Sequence, residues 1–105
     1  MVDYNGLIER TEPLVIGCKG EKSDPPNFRF PCSIALDQHD NIYIADSRNR
    51  RVQVLHIDGS PARKPIEVGN FQPCAIAVSS TGKIFISNSH LIRIYSSDGK
   101  KTNSM

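Results

Sequence analysis

An all-β fold built from repeated four-stranded antiparallel sheets is the class this sequence predicts, on three observations. The aliphatic content is twelve Ile, six Val and five Leu, with no Trp, and β-branched side chains favour strands over helices. Within residues 33–58, a stretch free of Gly and Pro, the apolar residues fall into three short clusters: Ile34-Ala35-Leu36, Ile42-Tyr43-Ile44-Ala45, and Val52 to Ile57. They show no i, i+3, i+4 stripe, so a helix reading fails on period. The chain also resembles itself at an offset of about 40 residues, which sets the architecture before any single residue does.

The repeat can be followed position by position. Phe30-Pro31-Cys32-Ser33-Ile34-Ala35-Leu36-Asp37 recurs as Gln72-Pro73-Cys74-Ala75-Ile76-Ala77-Val78-Ser79, an offset of 73 − 31 = 42. The same offset carries Asn41-Ile42-Tyr43-Ile44-Ala45-Asp46-Ser47 onto Lys83-Ile84-Phe85-Ile86-Ser87-Asn88-Ser89. The turn Arg48-Asn49-Arg50-Arg51 is then two residues longer than His90-Leu91, so Val52-Gln53-Val54-Leu55 matches Ile92-Arg93-Ile94-Tyr95 at an offset of 40. A fainter copy leads the chain, where Pro13-Leu14-Val15-Ile16-Gly17 resembles Pro65-Ile66-Glu67-Val68-Gly69.

Taken in order, residues 1–26 read as the outer strand of a preceding sheet plus an inserted loop at 18–26. Residues 27–69 form the complete repeat, with strands expected at about 32–37, 41–45, 51–57 and 64–68. Residues 70–99 form a second, incomplete repeat ending after its third strand, and 100–105 are a polar tail. Asp40-Asn41, Thr81-Gly82, Asp58-Gly59 and Asp98-Gly99 supply turn residues that tolerate positive φ. About 40 residues and four strands per repeat is the dimension of a propeller blade. The inner strands are apolar at consecutive positions, as expected when neighbouring blades cover both faces of a sheet.

These residues resemble the NHL repeat. Pro31-Cys32-Ser33-Ile34-Ala35-Leu36-Asp37, Asn41-Ile42-Tyr43-Ile44-Ala45-Asp46-Ser47 and Asn49-Arg50-Arg51-Val52-Gln53-Val54 follow its pattern, strongly over 28–59 and less closely over 71–99. In the second copy Ser79 and Asn88 replace the two Asp and the Asn49 to Arg51 turn is lost. The resemblance implies about two blades of an NHL-type β-propeller in an incomplete ring, here as a fragment. It also implies a protein-interaction scaffold of the kind that ends tripartite-motif ubiquitin ligases, where such propellers select protein or RNA targets. Pro31, Asp37, Asp46, Asn49, Arg51 and Pro73 then stand at structural repeat positions.

Two blades do not close a ring. Either the chain is a slice of a longer protein, the favoured reading since open-ended repeats leave apolar blade faces uncapped, or several copies complete one ring as a homo-oligomer. A fragment with no independent function is a further alternative.

Composition narrows the function. The chain has 105 residues and 11.7 kDa, one domain's worth, and its net charge of +2 is too small to imply a polyanionic partner. Its longest apolar runs fall far short of the roughly 18 residues that cross a bilayer. There is neither a basic n-region nor an apolar h-region at Met1-Val2-Asp3-Tyr4-Asn5. Cys18, Cys32 and Cys74 are odd in number and lack a C-x-x-C pair, which suggests reduced thiols. A cytoplasmic protein with no membrane partner is the expectation.

Catalytic and metal patterns are weak. Cys32 and Cys74 occupy one repeat position without the close ligand pairs of a zinc site, and read as small buried residues opening a strand. His39, His56 and His90 are scattered, and no Gly-x-Ser-x-Gly elbow exists. An amidating lyase that uses zinc also resembles this repeat, but no His ligand set appears here. Asp37, Asp40, Asp46 and Asn49 do not have calcium-loop spacing and suit side chains that hold turns. Gly17-Cys18-Lys19-Gly20 lacks the flanking helices of an RNA-clamping loop and reads as a turn.

The strongest candidate is basic. Arg48, Arg50 and Arg51 share one turn, with Arg63 and Lys64 at the next, and forked guanidinium donors suit phosphate or carboxylate. Arg51 reads as structural, pairing with Asp46 or with an acid of a neighbouring blade. Arg48, Arg50, Arg63 and Lys64 are the candidate partner-binding residues. The expected partner is protein, with single-stranded RNA as the alternative, and no enzyme activity, cofactor or metal is expected.

Overall fold

The computed structural model describes residues 18–19 and 27–104. Ten strands run through them: β1 (Cys18–Lys19), β2 (Asn27–Phe28), β3 (Pro31–Leu36), β4 (Ile42–Asp46), β5 (Arg51–Leu55), β6 (Ile66–Glu67), β7 (Ala75–Val78), β8 (Ile84–Ser87), β9 (Ile92–Tyr95) and β10 (Lys101–Ser104). A single 3-10 turn, Ser47–Asn49, links β4 to β5. Two four-stranded antiparallel sheets result, ordered β3-β4-β5-β6 and β7-β8-β9-β10, while β1 and β2 form a short parallel pair. The expected outer strand at 13–17 and most of the loop at 18–26 lie outside the described residues, as do Gly17 and Gly20.

The second sheet is more complete than the repeat pattern predicts. Residues 100–105, expected as a polar tail, contain β10, which pairs with β9 through Lys101 to Tyr95, with a register shift before Asn103. A polar strand at a sheet edge needs only backbone partners, so hydrophobic periodicity carries no sign of it. The outer two strands of the first sheet are shorter than expected: β5 stops at Leu55, and β6 is only Ile66–Glu67.

Turn chemistry acts where positive φ is required. Asp40, Gly59, Gly82 and Gly99 all have positive φ at the tips of their connections. Gly99 is the most constrained, because a Cβ there would come within 2.8 Å of Arg63 Nη2 and 3.3 Å of Ile66 Cγ1.

The register explains the core. Pairs Tyr43↔Val54, Ala45↔Val52 and Val52↔Ile66 put those side chains on one face of the first sheet. Pairs Ile76↔Ile86, Val78↔Ile84 and Ile84↔Tyr95 do the same for one face of the second. These two faces meet, and Tyr43, Val52, Val54, Ile66, Val68, Phe71, Ile84, Ile86 and Tyr95 form the buried core between blades. Each fully buried aliphatic side chain here contributes about 1.5–3 kcal/mol by leaving water. The closest approach between sheets is between their inner strands, β3 and β7.

Coverage of both faces, expected for the inner strands, holds for β4, and it extends to β5, whose five residues are all buried. Tyr43, Ile44, Ala45 and Asp46 are all buried, but Ile34 and Leu36 on β3 are 64% and 57% exposed and Ile92 on β9 is 46% exposed. The cause is geometric: among the described residues each sheet has the other as its neighbour on one face only, so Ile92 on the far face of the second sheet and Ile34 and Leu36 on the far face of the first meet solvent.

Candidate functional site

A buried polar centre shapes one end of the first sheet. Asp46 is fully buried at 0% exposure, and its Oδ2 accepts from Arg51 Nε at 2.9 Å, Asn49 Nδ2 at 3.0 Å and, more weakly, Gln53 Nε2 at 3.4 Å. Its Oδ1 accepts the Arg29 backbone N–H at 2.7 Å. Arg51 Nη2 and Gln53 Nε2 both donate to the Asn27 carbonyl, at 2.6 and 2.8 Å. Thus β4, β5 and the chain entering the repeat are tied to one carboxylate. A charge this deeply buried persists only with such a set of partners.

That centre displays an exposed rim. The Ser47 and Arg48 backbone N–H groups donate to the carbonyls of Phe30 and Arg29, at 3.3 and 3.0 Å, which clamps residues 29–30 beside the turn. Phe30 is held at φ 65 and Arg50 at φ 52, a conformation costing a non-Gly residue roughly 1–2 kcal/mol. Phe30 is nevertheless 60% exposed, and the Arg48 guanidinium lies over its ring, 4.9 Å from the centroid. Arg48 and Arg50 both face solvent.

The other two basic candidates are elsewhere. Arg63 and Lys64 follow β5, so they sit in the connection leaving the opposite end of that strand from the Ser47–Asn49 turn. Arg63 Nη1 donates to the Ser97 carbonyl at 2.7 Å, making it a tie between the two sheets. With Lys64, Glu67 and Asp98 it lines a shallow polar groove. The four candidate partner-binding residues are therefore two separate pairs.

Asp37 holds a turn. Its Oδ1 accepts the His39 and Asn41 N–H groups at 2.8 and 3.0 Å, and its Oδ2 accepts Asn41 Nδ2 at 2.9 Å and the Tyr43 hydroxyl at 3.3 Å. Partial burial works against its ionisation, but these bonds together hold its carboxyl below the usual range. Burial, and then the Asp37 charge, push the Tyr43 hydroxyl up. Asp37 and Asp46 lie at opposite ends of β4, so they form no joint cation site. Among the described residues no group of three or more His, Cys, Asp or Glu is placed to hold a metal ion.

Cys32 and Cys74 correct an expectation. Both are free and exposed instead of buried, and their thiols reach back to the carbonyls of Phe30 and Gln72. The ladder shifts register between Pro31 and Ser33, which takes Cys32 out of the paired, packed part of the strand. The side chain of Cys18 lies outside the described residues. His39, His56 and His90 are exposed, and His90 Nδ1 shares a 2.6 Å hydrogen bond with the hydroxyl of its neighbour Ser89.

Phe30 was not visible as a site residue in the motif pattern. The signal that could have found it is the repeat: an aromatic stands before Pro31 where the second copy has Gln72, with no strand of its own to pack.

Two four-stranded sheets stacked face to face at this repeat length define the class, a pair of β-propeller blades. Residues 28–55, which run from the end of β2 to the end of β5, match the family model described as NHL repeat. No curated protein matches the chain. No helix of the described residues is long and apolar enough to cross a membrane.

Proposed function

We propose that this chain is a non-catalytic NHL-propeller segment that binds a protein partner through the rim formed by Phe30, Arg48 and Arg50. The observation that carries this reading is the exposed Phe30 ring under the Arg48 guanidinium, held by a strained, hydrogen-bonded turn. Aromatic and Arg side chains are the residue types that dominate protein interfaces, and backbone strain persists where the surroundings over-determine it. In a longer protein such a rim would select targets, as in ligases of the ubiquitin type. The exposed thiols of Cys32 and Cys74 suit a reducing, cytoplasmic setting.

The test is selection of binders to the 105-residue chain from a displayed random-peptide library, beside a random single-stranded RNA pool. Peptide binders should lose about tenfold or more in affinity on Phe30→Ala or on Arg48→Ala with Arg50→Ala, the loss expected of an interface residue, and respond little to salt. RNA binding that falls steeply with salt, with no rim-dependent peptide, would replace this reading by single-strand recognition.

A further inference from the structure

We infer that the far face of the second sheet is a docking surface for the β3 face of a second copy of this chain, joined head to tail. The contact is already present once inside the molecule. Across the blade interface, the second sheet offers Ile76, Val78, Ile84 and Ile86 to a first-sheet face that includes Tyr43, Ala45 and Val52.

The repeat copies both halves of that contact onto the free surfaces. Ala35, Tyr43, Ala45 and Val52 correspond to Ala77, Phe85, Ser87 and Ile92, which lie on the far face of the second sheet. There, with Ala75, they line a shallow apolar hollow. On the other side, Ile34 and Leu36 correspond to Ile76 and Val78 and project from the far face of the first sheet, 64% and 57% exposed. Ile44 and Leu55 on that face are already covered, so its open part is the inner strand β3. The inner strands β3 and β7 are also where the two sheets approach most closely within the chain. One copy thus ends in the socket that the next copy's Ile34 and Leu36 fit, continuing the established interface. Because the two surfaces differ, the contact is heterologous and repeats along a stack or ring.

This inference is independent of the Phe30 rim, which lies at the end of the strands and not on their faces. The test is light scattering coupled to size exclusion on the 105-residue chain, from low to high micromolar concentration, for wild type, Ile34→Asp and Phe85→Asp. Wild type should grow in mass with concentration in steps of 11.7 kDa. Each variant alone should remain monomeric, since each has lost one half of the contact. An equimolar mixture of the two should form a dimer and stop there, because Phe85→Asp keeps an intact β3 face and Ile34→Asp keeps an intact socket. That rescue shows that both variants are folded. Should either variant fail to fold, concentration-dependent hydrogen-exchange protection of β3 and β8 in the wild type decides instead. A wild type that stays monomeric, variants that still associate, a mixture without rescue, or unchanged protection would each overturn the inference.

Discussion

In the first blade the turn between β4 and β5 is organised by a buried ion pair, Asp46 with Arg51 at 2.9 Å. In the second blade the equivalent turn is two residues shorter and is organised by Asn88, whose Oδ1 accepts the His90 and Leu91 N–H groups at 2.8 Å each. The position of Gln53 is taken by Arg93, whose Nη1 donates to the Val68 carbonyl at 2.9 Å while its guanidinium lies over Phe71 at 4.4 Å. Both blades thus use their third strand to hold the carbonyl of the chain entering the repeat. They differ in how much else depends on that hold. One carboxylate in the first blade collects four donors from the Ser47–Asn49 turn, β5 and the entry segment, whereas the second blade divides the task between a neutral turn amide and a separate guanidinium. Each arrangement leaves one buried polar atom without a partner among the described residues, Gln53 Oε1 and Arg93 Nε. A shared backbone therefore tolerates two polar designs, one concentrated and one dispersed.

The largest effect should come from the concentrated one. Asp46→Ala strands the buried Arg51 and should cost about 3–5 kcal/mol, whereas Asn88→Ala, at the same repeat position, should cost about 1 kcal/mol. Urea denaturation followed by circular dichroism measures both, and equal losses would break the comparison.

Next in size are the apolar contrasts within the second blade. Ile86→Ala opens the core between blades and should cost about 3 kcal/mol. Ile92→Ala, on the far face of the same sheet, should change stability by no more than about 0.5 kcal/mol in the dilute monomer. The same denaturation series at low protein concentration reads both.

Smaller again is Arg93→Ala, which loses one charge-assisted bond and one ring contact and should cost about 2 kcal/mol. Arg93→Lys should recover less than half of that loss, because an ammonium cannot both stack flat on Phe71 and reach Val68.

The smallest effect is one of pH. Asp37 in the first blade and Ser79 in the second hold equivalent turns, Ser79 Oγ accepting the Lys83 N–H at 3.0 Å. Because the folded Asp37 carboxyl titrates below its unfolded value of about 3.9, its contribution is fully present above that pH and is lost as pH falls through the folded value. Acid should therefore loosen the β3–β4 turn before the β7–β8 turn, which hydrogen exchange at pH values on either side of that range can resolve. Simultaneous loosening would remove Asp37 as the cause.

Much of this was legible in the residues. The repeat placed all four strands of the first blade and three of the four of the second to within a few residues, since apolar clusters and turn chemistry report local structure directly. Asp40, Gly59, Gly82 and Gly99 fell at tips because the tolerance for positive φ belongs to residue type. The Asp46 and Arg51 pair was readable as one of two options, because both residues flank one turn. β10 was not legible, since a polar edge strand leaves no apolar signature, and neither was the exposure of Cys32, which follows from a register shift.

For the candidate site the division is sharper. The residue list contained Arg48 and Arg50, but Arg63 and Lys64 joined them only through closeness in sequence, and antiparallel strands carry successive turns to opposite ends of a sheet. Phe30 entered from the other direction, brought beside Arg48 by two backbone hydrogen bonds, Ser47 to Phe30 and Arg48 to Arg29, between segments 17 and 19 residues apart.

Sequence alone determined that this protein is built of β-blades, where all their strands but β10 fall and which residues line their turns, because apolar clustering, β-branching and positive φ act within a few residues. Tertiary structure alone decided which faces are buried and which stay open, and which basic residues share a rim. Those outcomes depend on how one whole sheet stacks on the next, and no local pattern encodes the side on which a neighbour is present.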